Sequence, residues 1–277
     1  MKIIKIPKKD KSFRVIYCPE PELKKRLRLM VPRLNGFAIF MDRHGVAHGF
    51  MPRRSPVTNA MAHCGFPFSL SFDLENWFDT VTPDHVMNVP GLMSDATCLC
   101  FVDGAARQGL PTSPAMANIA AAPMDNDIMA LRVRGRLGWS FGAYTRYADD
   151  MTFSFEREAT ARWLKEIIPP LVERHKFKIN PAKTRLQSAR AGRRIITGVA
   201  VDDTIHVPRK IKRRLRAARH QRNWPQMRGL GEWARLRLPG NYQPPTPPLD
   251  EQIIQTVSIT YVAADTYVHA TFIRRIT

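Results

Sequence analysis

Hydrophobic positions change their spacing several times along this chain, and each change marks an element. Phe13 to Tyr17 reads as a short strand ended by Cys18-Pro19, and Leu23, Leu27 and Met30 then recur at helical spacing within Glu20 to Leu34. Pro32 and the Asn35-Gly36 pair are expected to close that helix. From Met41 to Cys64 the sequence is broken by Gly45, Gly49, Pro52 and Pro56, which predicts a loop-rich surface. Phe68 to Phe72 suits a buried strand with Asp73 at its end, followed by a short helical or turn segment through Phe78. Pro114 to Leu131 reads as a tightly packed helix of small and apolar residues that Pro123 should kink or split. Tyr144 to Ala148 and Met151 to Phe155 alternate like two strands, which puts Asp149-Asp150 at a hairpin tip. Thr160 to His175 has helical spacing in Trp163, Ile167 and Leu171, weakened by Pro169-Pro170, and Ile195 to Val201 with Ile205 to Val207 predicts a hairpin turning at Asp202-Asp203.

Charge changes this picture more than composition does. Hydrophobic residues make up 44% and charged residues 24%, ordinary for a folded protein, but 43 Lys and Arg against 24 Asp and Glu give a formal charge of +19. A protein this basic calls for a polyanionic partner, and nucleic acid is the leading one. The excess is concentrated late: Arg209 to Arg237 holds eleven Lys or Arg and the single acid Glu232. That stretch reads as a basic helical appendage, followed by a joint at Pro244, Pro245, Pro247 and Pro248. No run approaches the roughly 18 apolar residues a membrane span requires, so a cytoplasmic protein without a membrane partner is expected. Cys18, Cys64, Cys98 and Cys100 show no zinc-site spacing and are expected to be free thiols.

The candidate chemistry lies in Asp73, Asp149 and Asp150. Transfer of a nucleotide to a 3′-hydroxyl uses two divalent ions about 3.5–4 Å apart, one at the attacking and one at the leaving oxygen, and hard Mg²⁺ calls for carboxylate ligands. A strand-end acid and a hairpin-tip pair converge if their strands lie side by side in one antiparallel sheet. Alone, an Asp-Asp pair is simply a turn.

Three further segments change those odds. YADD (Tyr147 to Asp150), FDLENWFD (Phe72 to Asp79) and QGLPTSPAMAN (Gln108 to Asn118) occur in the order and spacing of reverse transcriptase palm motifs. SPVTNAMAHCG resembles the NAxxH element of bacterial retron-type reverse transcriptases at Asn59, Ala60 and His63, and RRIITGVAVDD resembles their Val-Thr-Gly element, with Ile196 ahead of Thr197 and Gly198. The likeness runs from about Phe13 to Val207 and implies an α+β right-hand polymerase: fingers and antiparallel-sheet palm over residues 1–207, then a basic helical thumb over 208–277. It implies that Asp73, Asp149 and Asp150 hold two Mg²⁺ ions, with Mn²⁺ as a substitute, and that Phe78 lies against the nucleotide sugar and excludes a ribose 2′-hydroxyl. It places Gln108 and Gly109 beside the incoming nucleotide, Lys183 as the proton donor to leaving pyrophosphate, and Arg14, with Lys9 or Lys11, on the triphosphate. Asn59, His63, Thr197, Gly198, Arg213 and Arg214 become expected RNA contacts, although His63 on its own residues reads better as a hydrogen-bonding loop residue.

If the chain behaves as retrons do, a structured non-coding RNA serves as template and primer, a guanosine 2′-hydroxyl starts the DNA, and dNTPs are joined into a branched RNA–DNA product. Such systems commonly serve antiphage defence with an effector protein. Two other readings stay open on sequence alone: a retron-like polymerase with unbranched priming, and a catalytically silent RNA-binding scaffold.

Overall fold

The computed structural model describes residues 1–7, 13–92, 94–134, 141–238, 257–263 and 266–272. Lys9, Lys11 and the proline-rich joint lie outside them. The first strands, β1 (Lys2–Pro7) and β2 (Phe13–Cys18), form an antiparallel pair. Helix α1 (Pro21–Met41) starts on Pro21, whose fixed φ suits a first helical position, but it does not end near Leu34 as the sequence suggested. It runs through Pro32 and Gly36, because Leu27, Leu34 and Ala38 are all buried on one stripe, and that burial outweighs the roughly 3 kcal/mol a helical proline costs.

The stretch from Met41 to Cys64 is not the exposed surface it was expected to be. Val46, Ala47, His48 and Gly49 are buried, and a short helix, α2 (Pro56–Met61), follows behind a capping box in which Ser55 and Thr58 satisfy each other's backbone N–H. Strand β3 (Phe68–Asp73) ends on the predicted acid, and helices α3 (Trp77–Thr80) and α4 (Asp95–Cys98) lead to α5 (Ser113–Arg134), continuous through Pro123. The hairpin β4 (Ala143–Tyr147) and β5 (Asp150–Phe155) precedes α6 (Ala159–Arg174), which likewise passes through Pro169 and Pro170. Strand β6 (Arg185–Ser188) completes a four-stranded antiparallel sheet in the order β4-β5-β3-β6.

The pleat gives that sheet two chemically different faces. Phe68, Leu70, Phe72, Met151, Phe153, Phe155 and Tyr144 belong to the main core, where α1 and α6 also pack on α5. The other face carries small hydroxyls in register: Ser69 opposite Ser154, Ser71 opposite Thr152, and Thr152 opposite Thr145. His63 and Arg194 close over it. His63 bonds Ser154 Oγ at 2.9 Å and Thr145 Oγ1 at 2.7 Å, and Arg194 donates to Ser69 Oγ at 2.7 Å and to the His63 carbonyl at 2.8 Å.

The expected hairpin at 195–207 is a three-stranded meander, β7 (Arg194–Ile196), β8 (Val199–Val201) and β9 (Ile205–His206). Its first turn is Thr197-Gly198, with φ of 45° and 81°; the second is the predicted Asp202-Asp203 turn. Helices α7 (Arg209–His220) and α8 (Trp224–Ala234) follow, and Trp233 and Leu236 pack on a small core of Val57, Ala60, Ile196, Val199 and Val201. Two compact units result, Met1–Tyr242 and Gln243–Thr277. After 208 the chain is not helical throughout: β10 (Val257–Ala263) and β11 (Thr266–Phe272) form an antiparallel pair. Among the described residues no helix is long and apolar enough to cross a membrane, and the four cysteines are free thiols.

Candidate active site

Asp73 and Asp150 are direct cross-strand partners at the end of β3 and the start of β5. Strand alternation puts them on the hydroxyl face, one step beyond the Ser71–Thr152 pair. Asp149 sits in the two-residue turn between β4 and β5, and its carbonyl accepts the Leu74 N–H at 2.9 Å, which ties the turn to the chain just past Asp73. The antiparallel packing of β3 against β5 is therefore what collects three carboxylates from positions 76 and 77 residues apart.

Asp149 and Asp150 resist ionisation there. Burial raises the Asp149 pKa above the usual carboxylate range, with the Asp73 charge adding to it and Lys183 and Arg14 opposing it. Burial, then the charges of Asp149 and Asp73, push Asp150 up to about 6. The Lys183 ammonium donates to Asp73 Oδ2 at 2.7 Å from the short turn after Asn180, whose own N–H bonds the Asp73 carbonyl. The donor set is all carboxylate oxygen and short of positive charge, which fits hard divalent cations. Among the described residues no three metal-ligating side chains already surround one point; Lys183 supplies the positive charge instead.

The support beneath the turn was not foreseen from sequence. Arg146 is wholly buried and forms a bidentate pair with Asp125, at 3.0 Å from Nε and 2.8 Å from Nη2 to Oδ2. Its Nη1 donates to Asn118 Oδ1 at 3.0 Å and to the Ala148 carbonyl at 3.1 Å, so a guanidinium holds the turn that carries Asp149. Ala148 itself has a left-handed φ of 57°. Gly49 lies against it so closely that a Cβ would fall 2.3 Å from the Ala148 nitrogen, which excludes every other residue type. A signal existed in Asn118, which donates to the Gly49 carbonyl at 2.9 Å, but nothing in the pattern linked Arg146 to Asp125.

Strand β2 and the 108–109 loop meet nearby. The Tyr17 N–H donates to the Gln108 carbonyl at 2.8 Å, and a Cβ on Gly109, whose φ is 110°, would strike the Tyr17 oxygen at 2.3 Å. Arg14 is exposed on β2 and its charge acts on Asp149. Phe78 is half-buried, with its ring 6.1 Å from that of Phe50. Asp73, Asp149, Asp150, Lys183 and Arg14 thus share one electrostatic neighbourhood.

The model of the reverse transcriptase (RNA-dependent DNA polymerase) family matches residues 6–224. The chain belongs to that family. It is 34% identical to the retron Mx162 reverse transcriptase of Myxococcus xanthus, over 78% of this chain and 51% of that protein. It is 31% identical to the retron Mx65 reverse transcriptase of the same organism, over 78% and 54%. The chain spans about half the length of these two relatives. A solved telomerase from Candida albicans, in complex with a fragment of telomeric RNA, superposes with a TM-score of 0.48 and 14% identity over 75% of this chain and 45% of that one.

Two of the expected RNA contacts lie in the interior instead. His63 is fully buried, and that burial drives its pKa down to about 3, so it is a neutral clamp between the sheet and the meander. Asn59 is only 1% exposed, and its Nδ2 lies 3.4 Å from Thr197 Oγ1. Both belong to the interior because the NAxxH segment is the helix that covers the hydroxyl face. Thr197 is half-buried with its hydroxyl on the Pro56 carbonyl at 3.0 Å, whereas Gly198 is exposed beside Trp233. Arg213 and Arg214 are exposed on α7.

Proposed function

We propose that this protein is the RNA-directed DNA polymerase of a retron-like system, copying a structured non-coding RNA that also primes the DNA. The observation that carries this is the placement of Asp73 directly opposite Asp150, with Asp149 in the adjoining turn, in a chain of the reverse transcriptase family. Asp73, Asp149 and Asp150 would hold two Mg²⁺ ions, which when bound supply charge stabilisation at the attacking and leaving oxygens.

This chain's own residues do the rest. Lys183, which donates to Asp73 at 2.7 Å and so stands beside the carboxylates, protonates the pyrophosphate as it departs. Arg14 neutralises the triphosphate from β2. Gln108 and Gly109 hold the nucleotide beside β2 through backbone approach, and the Phe78 ring excludes a 2′-hydroxyl. Residues 1–207 act as fingers and palm, and the chain after 208 as the thumb, in which Arg213 and Arg214 grip phosphates without reading sequence. Dedicated RNA, dNTPs, a branched product, an effector, a cytoplasmic setting and a role in antiphage defence complete the reading, supported by the likeness to retron enzymes.

The test is to express the chain with its flanking genomic DNA and isolate the nucleic acid bound to it, comparing wild type with Asp149→Ala plus Asp150→Ala. The expected result is a discrete RNA-linked DNA, present only in wild type, whose strands separate only after a debranching enzyme acts. Unbranched DNA would keep the polymerase and sink the branched priming; RNA alone in both samples would sink the retron reading.

A further inference from the structure

Phe50 occupies a place where its residue type is unfavourable twice over. Its φ is 61°, in the left-handed region that disfavours a bulky side chain, and half of its surface is exposed. Gly or Asn would adopt the same turn at lower cost, and a polar residue would suit the exposure. Both neighbours fix it there: Gly49 is pressed onto the Ala148 backbone and bonded through its carbonyl to Asn118, and Met51 is buried. The chain is thus pinned to the catalytic turn on one side and to the core on the other, and the residue between them meets the Phe78 ring, centroids 6.1 Å apart and planes 49° apart. A strained non-glycine residue at a site of chemistry points to a use.

We propose that Phe50 is a specificity-determining positioning residue, whose ring backs Phe78 and fixes the width of the pocket for the nucleotide sugar. The inference rests on the reading of Phe78 as the ring that meets the sugar. A single half-buried ring can swing about its two side-chain torsions, and a ring that swings admits a 2′-hydroxyl. With Phe50 against it, Phe78 keeps one orientation, and because Phe50 is pinned through Gly49 to the Asp149 turn, the sugar pocket and the carboxylates move as one piece. An aromatic-to-aliphatic loss in such a pocket changes discrimination by about ten- to a hundredfold.

The experiment is single-nucleotide incorporation by the full chain on a primed RNA template, with kcat and KM measured separately for a dNTP and the matching rNTP. Phe50→Ala is expected to lower the dNTP-over-rNTP preference at least about tenfold, mainly by improving use of the rNTP, and Phe50→Tyr, which keeps the ring, to restore most of it. Phe50→Gly should lose the preference equally while its melting temperature stays at or above that of wild type, since glycine relieves the left-handed backbone; a merely structural Phe50 would instead lose stability and keep the preference. Phe78→Ala is the control. If it abolishes discrimination and Phe50→Ala and Phe50→Gly leave it intact, the inference on Phe50 is overturned and the reading of Phe78 stands. If Phe78→Ala changes nothing, the reading of Phe78 is overturned and the role of Phe50 with it.

Discussion

Asp73 and Asp150 face each other across two hydrogen-bonded strands, an arrangement that raises the free energy of the folded chain unless a cation lies between the acids. Lys183 fills part of that need at 2.7 Å from Asp73. Replacing Lys183 with Ala should slow incorporation about a hundredfold or more, the usual scale of a lost general acid, with a smaller loss for Arg; equal single-nucleotide incorporation rates in wild type and variant would contradict the role. Arg146→Met leaves the Asp125 charge buried without its cation, with the Tyr144 hydroxyl still donating to it, and should cost about 3–5 kcal/mol in urea unfolding, whereas Asp125 and Arg146 replaced together should cost less than the sum of the single changes. The three acids were legible in the sequence because strand alternation and a two-residue turn determine where they go. Gly49 and Arg146 were not, since a close backbone approach and a buried ion pair join segments with no common period.

At the scale of elements, Pro32 misled and burial decided. Pro32, Pro123 and the Pro169-Pro170 pair all lie inside continuous helices, each held by apolar residues on a neighbouring stripe, as with Leu164, Ile168, Leu171 and Val172 in α6. The helix α2 and its following turn were read as loop for the opposite reason: their partners, the hydroxyls of β3, β4 and β5, are distant in sequence. His48 and His63 are both buried there, which lowers each pKa from 6.5 to about 3. Between those values the unfolded chain takes up protons that the folded chain refuses, so stability present above pH 6.5 is lost as pH falls towards 3. Up to two protons, at roughly 1.4 kcal/mol per pH unit each, outweigh the opposite contribution of the raised Asp150 and should make the urea midpoint fall between pH 7 and 5; an unchanged midpoint would contradict the neutral clamp. On α7, Arg213→Ala with Arg214→Ala should weaken RNA binding alike for all sequences and flatten the log affinity against log salt line by about 1 to 2 units. An unchanged slope would remove both residues from the phosphate contacts.

For the whole molecule, the +19 charge and the cluster of carboxylates are the two parts on which the proposed function rests: a basic chain suited to polyanions and a group of acids suited to divalent cations. Fold class followed from pattern and resemblance, and so did the meeting of the three acids at one sheet end. The basic helices α7 and α8 are anchored by Trp233 and Leu236 to the meander, and strands rather than helices occupy 257–272. If the cluster of Asp73, Asp149 and Asp150 copies RNA into DNA, the purified chain extends a DNA primer on an RNA template in Mg²⁺. Wild type should make templated DNA, and Asp149→Ala plus Asp150→Ala should lose at least about a thousandfold of that activity with RNA affinity retained. Folded wild type that binds the template and never extends it, or a double variant that extends it equally well, would show that these carboxylates do not carry the reaction.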